Sequence, residues 1–154
     1  MSNTYTQIHI HSVFTVKNRD SLIQKEWKDE LYMYITGIIK NNNHKLIIIN
    51  GMPDHVHLLF GLRPEQSLSK LMQDIKANSS KWINEHNLVK EKFSWQEGYG
   101  AFSYSKSQLS SVIEYIKNKE KHHEKKTFID EYVEFLKLFD ISYDSRYIFK
   151  AVEI

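Results

Sequence analysis

The sequence predicts an α+β domain built on an antiparallel sheet. Three observations lead there. Short alternating or β-branched apolar runs (Tyr5 to Val16, Leu46 to Ile49, His55 to Phe60) are separated by longer stretches with apolar residues at helical spacing. No apolar run approaches the ~20 residues that a membrane-spanning helix needs. A chain of 154 residues, 41% hydrophobic and 26% charged, suffices for one globular domain with a core and is too short for two of ordinary size.

Taken in order, Tyr5 to Val16 alternates around Ile8 and Ile10 and then brings Val13 and Phe14 side by side, which predicts a first strand with a register slip near Ser12. Asp20 or Ser21 is placed to cap a helix from about Leu22 to Lys40, with Trp27, Leu31, Tyr34, Ile35, Ile38 and Ile39 on its apolar side. Leu46 to Ile49 predicts a buried strand, Asn50-Gly51 a turn extended by Pro53-Asp54, and His55 to Phe60 the next strand. Ser67 opens a second helix to about Glu85 with Leu68, Leu71, Met72, Ile75, Trp82 and Ile83 on one face. Phe93 to Trp95 and Ala101 to Tyr104 suit short strands. Ser105 or Ser107 caps a third helix to about Glu120, and Thr127 a fourth with Phe128, Tyr132, Phe135, Leu136 and Phe139 apolar. Strand, helix, strand, strand, helix, strand is the split βαβ, ferredoxin-like order. It predicts an antiparallel sheet with helices on one face, followed by C-terminal helices, in a single domain spanning residues 1–154.

Composition removes several chemistries. With no cysteine there is no disulfide framework, thiolate zinc site, iron–sulfur cluster or cysteine nucleophile. Eight histidines leave imidazole, with carboxylate or amide oxygen, to hold any metal. The N-terminus has no basic stretch followed by an apolar one, so the expected location is cytoplasmic, with no membrane partner. The net charge of +2 hides local imbalance. Lys117 to Lys126 holds five lysines against two glutamates, whereas Asp130 to Asp144 holds five acids against Lys137. The acidic tail is read as a solvated helix face.

His55-Val56-His57 is the sharpest chemical feature. Residues two apart on a strand share a face, so the two imidazoles project together and can grip one metal ion. For a bare His-x-His a pair of exposed histidines is the better reading, but the Gly51-Met52-Pro53-Asp54 loop before it and the apolar Leu58-Leu59-Phe60 after it shift the weight toward a ligand pair. Asp54 either orients an imidazole or closes the turn. On the third helix, Leu109, Val112, Ile113 and Ile116 form an apolar stripe with Tyr115 to one side, and Lys119 and His122 lie on the same flank. A phenol at that edge packs with its hydroxyl in water or is a nucleophile at a cleft rim. The second role requires something to stabilise the phenolate.

These residues bring a known family into view. The chain resembles the single-tyrosine transposases of the IS200/IS605 type, within the wider nucleases that carry a His-hydrophobe-His (HUH) motif. The resemblance runs through Ile8 to Val16, Pro53-Asp54-His55-Val56-His57-Leu58-Leu59, Ser67 to Ile83 with Ile75-Lys76, Trp95, Gly98-Tyr99-Gly100-Ala101-Phe102-Ser103, and Tyr115-Ile116 followed by His122-His123. It implies a homodimer acting on hairpins of single-stranded DNA at element ends. It implies Mg²⁺ or Mn²⁺ bound by His55 and His57, and Tyr115 as nucleophile. Attack would leave a 5′-phosphotyrosine link and a free 3′-hydroxyl, and reversal with another strand would rejoin ends without ATP. The family often places a glutamine four residues after the tyrosine as a third ligand. Here that position is Lys119, which as an ammonium cannot ligate a metal. Either Lys119 binds a phosphate, or Asn118, Glu120 or His122 completes the shell, or catalysis is weakened.

Lys70, Lys76 and Lys81 on the second helix are the DNA-contact candidates, with Lys76 favoured because the family carries a basic residue there. Lys17 and Arg19 are further candidates, and Tyr99, Phe102 and Tyr104 could stack on bases or belong to the core. His9 and His11 share a face of the first strand and could form a second ligand pair, but because the family's metal motif is matched elsewhere they are assigned to packing or DNA contact. Two alternatives stand beside the transposase: a domesticated repeat-associated relative with the same chemistry, and a non-catalytic module that binds single-stranded DNA.

Overall fold

The computed structural model describes residues 4–118 and 128–138. Four strands, β1 (His9–Thr15), β2 (Lys45–Met52), β3 (His55–Gly61) and β4 (Gly100–Tyr104), form one sheet in the order β2-β3-β1-β4. All three pairings are antiparallel. The helices are α1 (Lys25–Asn41), α2 (Leu68–Glu85), α3 (Leu109–Lys117) and α4 (Phe128–Leu138). This is the expected ferredoxin-like topology. Helices α1 and α2 lie on one face of the sheet, and the C-terminal pair α3 and α4 covers the other.

Strand alternation sorts the core into two layers. Ile10, Phe14, Val56, Leu58 and Phe60 meet Trp27, Leu31, Ile35 and Ile39 of α1 and Leu71, Met72, Ile75 and Ile83 of α2. On the opposite face Leu59 packs with Val112 and Ile116 of α3, and Val13 and Phe102 pack with Tyr132 and Leu136 of α4. Trp95 closes the first layer. Its ring stands edge-on to Phe14 and Phe93, and its Nε1 donates to Ser79 Oγ at 2.9 Å.

Burial on both faces explains where the sequence expectations fail. Val13 and Phe14 are adjacent apolar residues because they enter opposite layers of a central strand, so β1 runs from His9 to Thr15 without a slip. The register shift lies in β2, between Leu46 and Ile48. Asn50-Gly51 is not the turn. It continues β2, and Pro53-Asp54 alone connects Met52 to His55. A β-carbon on Gly51 would fall on the carbonyl oxygen of His55 and 3.0 Å from Val56 Cα, so glycine here serves a close backbone approach within the hairpin. Neither Asp20 nor Ser21 caps α1. A 3₁₀ turn (Lys17–Arg19) intervenes, with Asn18 and Arg19 in the left-handed region, and the N-cap is Gln24 without a side-chain bond. Ser67 does cap α2, accepting from the Lys70 amide. Phe93 to Trp95 forms no strand, only a bridge from Trp95 to Val16. On α1 it is Tyr32 rather than Tyr34 that joins the core.

Two outcomes follow from this packing. Gly51→Ala should destabilise the domain by about 2 kcal/mol or more, since rigid backbone must move; chemical denaturation checks it, and an unchanged midpoint would contradict the close approach. Burial pushes the Tyr132 phenol up to about 12, whereas an unfolded tyrosine ionises near ~10. Between those values the unfolded chain has released a proton that the folded chain keeps, so stability falls as pH rises. Urea midpoints should therefore decline from about pH 10 to about pH 12, and decline less in Tyr132→Phe.

Candidate active site

The histidine pair is set by the β2–β3 hairpin and its register against β1. His55 stands opposite Thr15 and Met52, and His57 opposite Val13 and Asn50. Both imidazoles are buried on the face covered by α3 and α4, with ring centroids 5.1 Å apart. The turn below them is clasped twice. The Val16 amide donates to the Asp54 carbonyl at 2.8 Å and the Ile23 amide to the Pro53 carbonyl at 2.9 Å. Asp54 thereby does both things the sequence left open: it sits in the turn, and its Oδ1 lies 2.6 Å from His55 Nδ1. His57 has a partner of the same kind from β1, with its Nδ1 2.7 Å from Nε2 of His11. Sequence reasoning assigned His11 to packing or DNA contact. Its observed position is beside the second histidine of the motif, and the signal was its place two residues from Val13 on the same strand face.

Tyr115 reaches this pair from α3. The helix is entered through a 3₁₀ turn (Lys106–Gln108) with a reciprocal capping box between Ser105 and Gln108. Val112 and Ile116 press onto Leu59, two residues beyond His57. The C-terminal end is held by Asn50, whose Nδ2 donates to the carbonyls of Ile116 (2.9 Å) and Lys117 (3.2 Å). Asn118 caps the described end of the helix, its side-chain amide donating to Glu114 O at 2.9 Å, and the expected end near Glu120 lies outside the described residues. With both ends fixed, the Tyr115 ring lies edge-on to His57 at 6.0 Å and to His11 at 6.5 Å between centroids. Its hydroxyl donates to Glu131 Oε2 of α4 at 2.7 Å. Burial, then the Glu131 hydrogen bond and negative charge, raise the phenol well above its ordinary range, so the resting side chain is neutral.

Glu131 departs from the reading of the acidic tail as a solvated face, which holds at the exposed Asp130 and Glu134. It is 7% exposed and sits next to Tyr132, which packs on Phe102 over Gly100. A β-carbon at residue 100 would come within 2.6 Å of the Tyr132 ring, so Gly100 lets α4 lie close enough for Glu131 to meet Tyr115.

The other candidates fall elsewhere. Lys119, Glu120 and His122 lie outside the described residues. Lys70, Lys76 and Lys81 sit on α2, across the sheet from the histidines. Lys70 pairs with Asp74 at 3.3 Å and Lys81 with Glu85 at 3.9 Å. Lys76 is half-buried, and its Nζ donates to the carbonyls of Gln96 and Gly98, both at 2.7 Å. Burial lowers its pKa. Phe102 is core, and Tyr104 is half-buried with its phenol pushed up to about 12 by burial.

The donor set suits a hard or borderline divalent cation in part. With both Nδ1 atoms facing partners, a cation would be taken at Nε2 of each histidine, and the Asp54 and His11 contacts would fix ring orientation. His57 would then donate from Nδ1 to His11 Nε2. Among the described residues no group of three or more His, Asp or Glu is assembled as a metal cage. Imidazole nitrogen suits borderline metals, whereas Mg²⁺ and Mn²⁺ favour oxygen, so water and phosphate oxygens would have to fill the remaining positions around either ion.

Comparison with known proteins agrees with this layout. Residues 4–119 match the family model described as "Transposase IS200 like". The ISDra2 transposase TnpA of Deinococcus radiodurans is 27% identical over 124 residues, covering 77% of this chain and 86% of that protein. A crystal structure of a transposase from Deinococcus radiodurans superposes with a TM-score of 0.63 at 22% identity, over 77% of this chain and 95% of the other. The structure of a REP-associated tyrosine transposase bound to a REP hairpin superposes with a TM-score of 0.62 at 15% identity, over 100% and 97% of the two chains.

The Asn50 tether gives a direct check. Asn50→Ala removes two hydrogen bonds to the end of α3 and should cost about 1–2 kcal/mol. It should also speed hydrogen exchange in the last turn of α3 while leaving that of α1 unchanged. Uniform acceleration across the domain would contradict a local tether.

Proposed function

Because the chain belongs to the IS200-like family of tyrosine transposases, we propose that it cuts and rejoins single-stranded hairpin DNA through Tyr115, with a divalent cation held by His55 and His57. The observation that carries this reading is the meeting of the tyrosine ring with His57 at 6.0 Å within one chain. On this reading one protomer would supply both the nucleophile and the pair of cation-binding nitrogens.

Bound there, Mg²⁺ or Mn²⁺ would polarise the scissile phosphate. The chain's own residues do the rest. Asp54 and His11 hold the two imidazoles in orientation. Asn50 and the Leu59–Ile116 contact hold α3 so that the phenol is directed at the phosphate rather than swinging in solvent, which is worth a large entropic advantage. The phenol oxygen bonds to phosphorus, the 3′ oxygen leaves, and the phosphodiester energy is kept as a 5′-phosphotyrosine. Return attack by a 3′-hydroxyl releases the tyrosine and joins ends. The solved REP-associated relative holds a hairpin, which supports a hairpin substrate for this chain. The homodimer expected from the sequence enters as two such centres, one for each DNA end.

No helix among the described residues is long and apolar enough to cross a membrane.

The test is a covalent complex that survives SDS, formed from the protein, a panel of single-stranded hairpin oligonucleotides and Mn²⁺. The parent should form it, and Tyr115→Phe should abolish it. His55→Ala should reduce it by two orders of magnitude or about that and weaken Mn²⁺ binding measured by calorimetry. An adduct that persists in Tyr115→Phe would overturn the tyrosine assignment.

A further inference from the structure

Glu131 is the one buried carboxylate among the described residues, and it touches the atom that the reaction would use. Its placement has structural support. Tyr132 and Leu136 dock α4 onto Val13 and Phe102, and the bare Cα of Gly100 leaves room for the Tyr132 ring. The neighbouring Glu131 is thereby brought to 2.7 Å from the Tyr115 hydroxyl, with the oxygen as acceptor. A phenol is a weak nucleophile until its proton departs, and a general base must lie within hydrogen-bond reach of that proton. Asp54 is 2.6 Å from His55 Nδ1, and His11 is 2.7 Å from His57 Nδ1. Glu131 is the group shown accepting from the hydroxyl.

We propose that Glu131 is a catalytic residue that accepts the Tyr115 proton during strand cleavage and returns it during strand joining. The proposal rests on Tyr115 being the nucleophile. In cleavage the phenolic O–H bond breaks and its proton passes to Glu131 Oε2. The phenol oxygen forms a bond to phosphorus, and the bond from phosphorus to the 3′ oxygen breaks. The 3′ oxygen leaves with the electron pair and takes a proton from water. In joining, the 3′-hydroxyl attacks phosphorus and gives its proton to water, the bond from phosphorus to the phenol oxygen breaks, and Glu131 reprotonates the tyrosine. No proton or electron is gained over the cycle, and no further co-reactant is needed.

The experiment measures the single-turnover rate of SDS-stable adduct formation by the full chain on hairpin oligonucleotides with Mn²⁺. Glu131→Gln keeps the size of the side chain and an accepting oxygen but is not a base. The expected result is a rate loss of about 100-fold or more, with hairpin affinity by fluorescence anisotropy and Mn²⁺ affinity both unchanged. A rate within threefold of the parent, or a faster one, would overturn the proposal, the faster result marking Glu131 as a restraint on the tyrosine. If Glu131→Gln lowers the melting temperature, Glu131→Asp decides: a rate clearly above that of the glutamine variant supports a proton acceptor, and equal loss in both overturns it. Tyr115→Phe separates the two readings. Adduct persisting in that variant removes the tyrosine assignment itself, whereas its absence together with an unimpaired Glu131→Gln removes the base alone.

Discussion

The antiparallel register of β1 against β3 is the constraint on which the rest of this structure depends. It places His57 across from Val13, and so brings His11 within 2.7 Å of His57. It continues beyond Thr15 into the bond from Val16 to the Asp54 carbonyl, which fixes the turn bearing the partner of His55. It also sets Leu59 beneath Val112 and Ile116, and hence the position of the tyrosine helix. A shift of one residue would turn both motif histidines into the layer of Trp27, Leu31 and Ile75 and send Val56 and Leu58 to the other side. Because each face is buried, such a slip has a high cost, and the pairing is strongly specified.

The same burial makes the site an unusual piece of core. Three imidazoles and a carboxylate lie in a layer otherwise built from Val13, Leu59, Phe102, Val112, Ile116 and Leu136. Polar groups withdrawn from water destabilise unless bonded, and here contacts are made in sequence: Asp54 with His55, His11 with His57, Tyr115 with Glu131. The two partners in each pair come from different elements, or from a turn and a strand. Removing one partner therefore exposes another, and the layer behaves as a unit in which rigidity and chemistry are hard to separate.

Much of this was legible in the chain itself, for reasons that differ by residue. Period-two spacing put His55 and His57 on one face, and the order of elements gave the ferredoxin-like topology, because both signals are local. Ser67 was readable as a cap because its partner, the Lys70 amide, is three residues away. What escaped depends on distant partners. Asn50-Gly51 carries a strong turn signature, but Asn50 is committed to carbonyls 66 and 67 residues away and Gly51 to a close approach within the hairpin. Glu131 stands in a run whose net charge suggests solvent, yet its neighbour Tyr132 turns that face of α4 inward. Lys76 has the charge of a phosphate contact, whereas its ammonium lies against two loop carbonyls. The fate of Lys119 and His122 lies outside the described residues.

The two-residue hairpin around Pro53-Asp54 has a consequence for how this site comes into being. Its strands close a short loop, an event of microseconds in isolated hairpins, and the donor pair with Asp54 is complete within that segment. The contacts from His57 to His11 and from Asn50 to Ile116 span 46 and 66 residues, so they carry the entropy of much longer loops. The pairing of His55 with Asp54 is thus local, whereas the His57–His11 contact and the approach of Tyr115 depend on distant segments. During synthesis, the two motif histidines can be brought side by side as soon as the hairpin has emerged, while Tyr115 reaches them only when α3 emerges and docks.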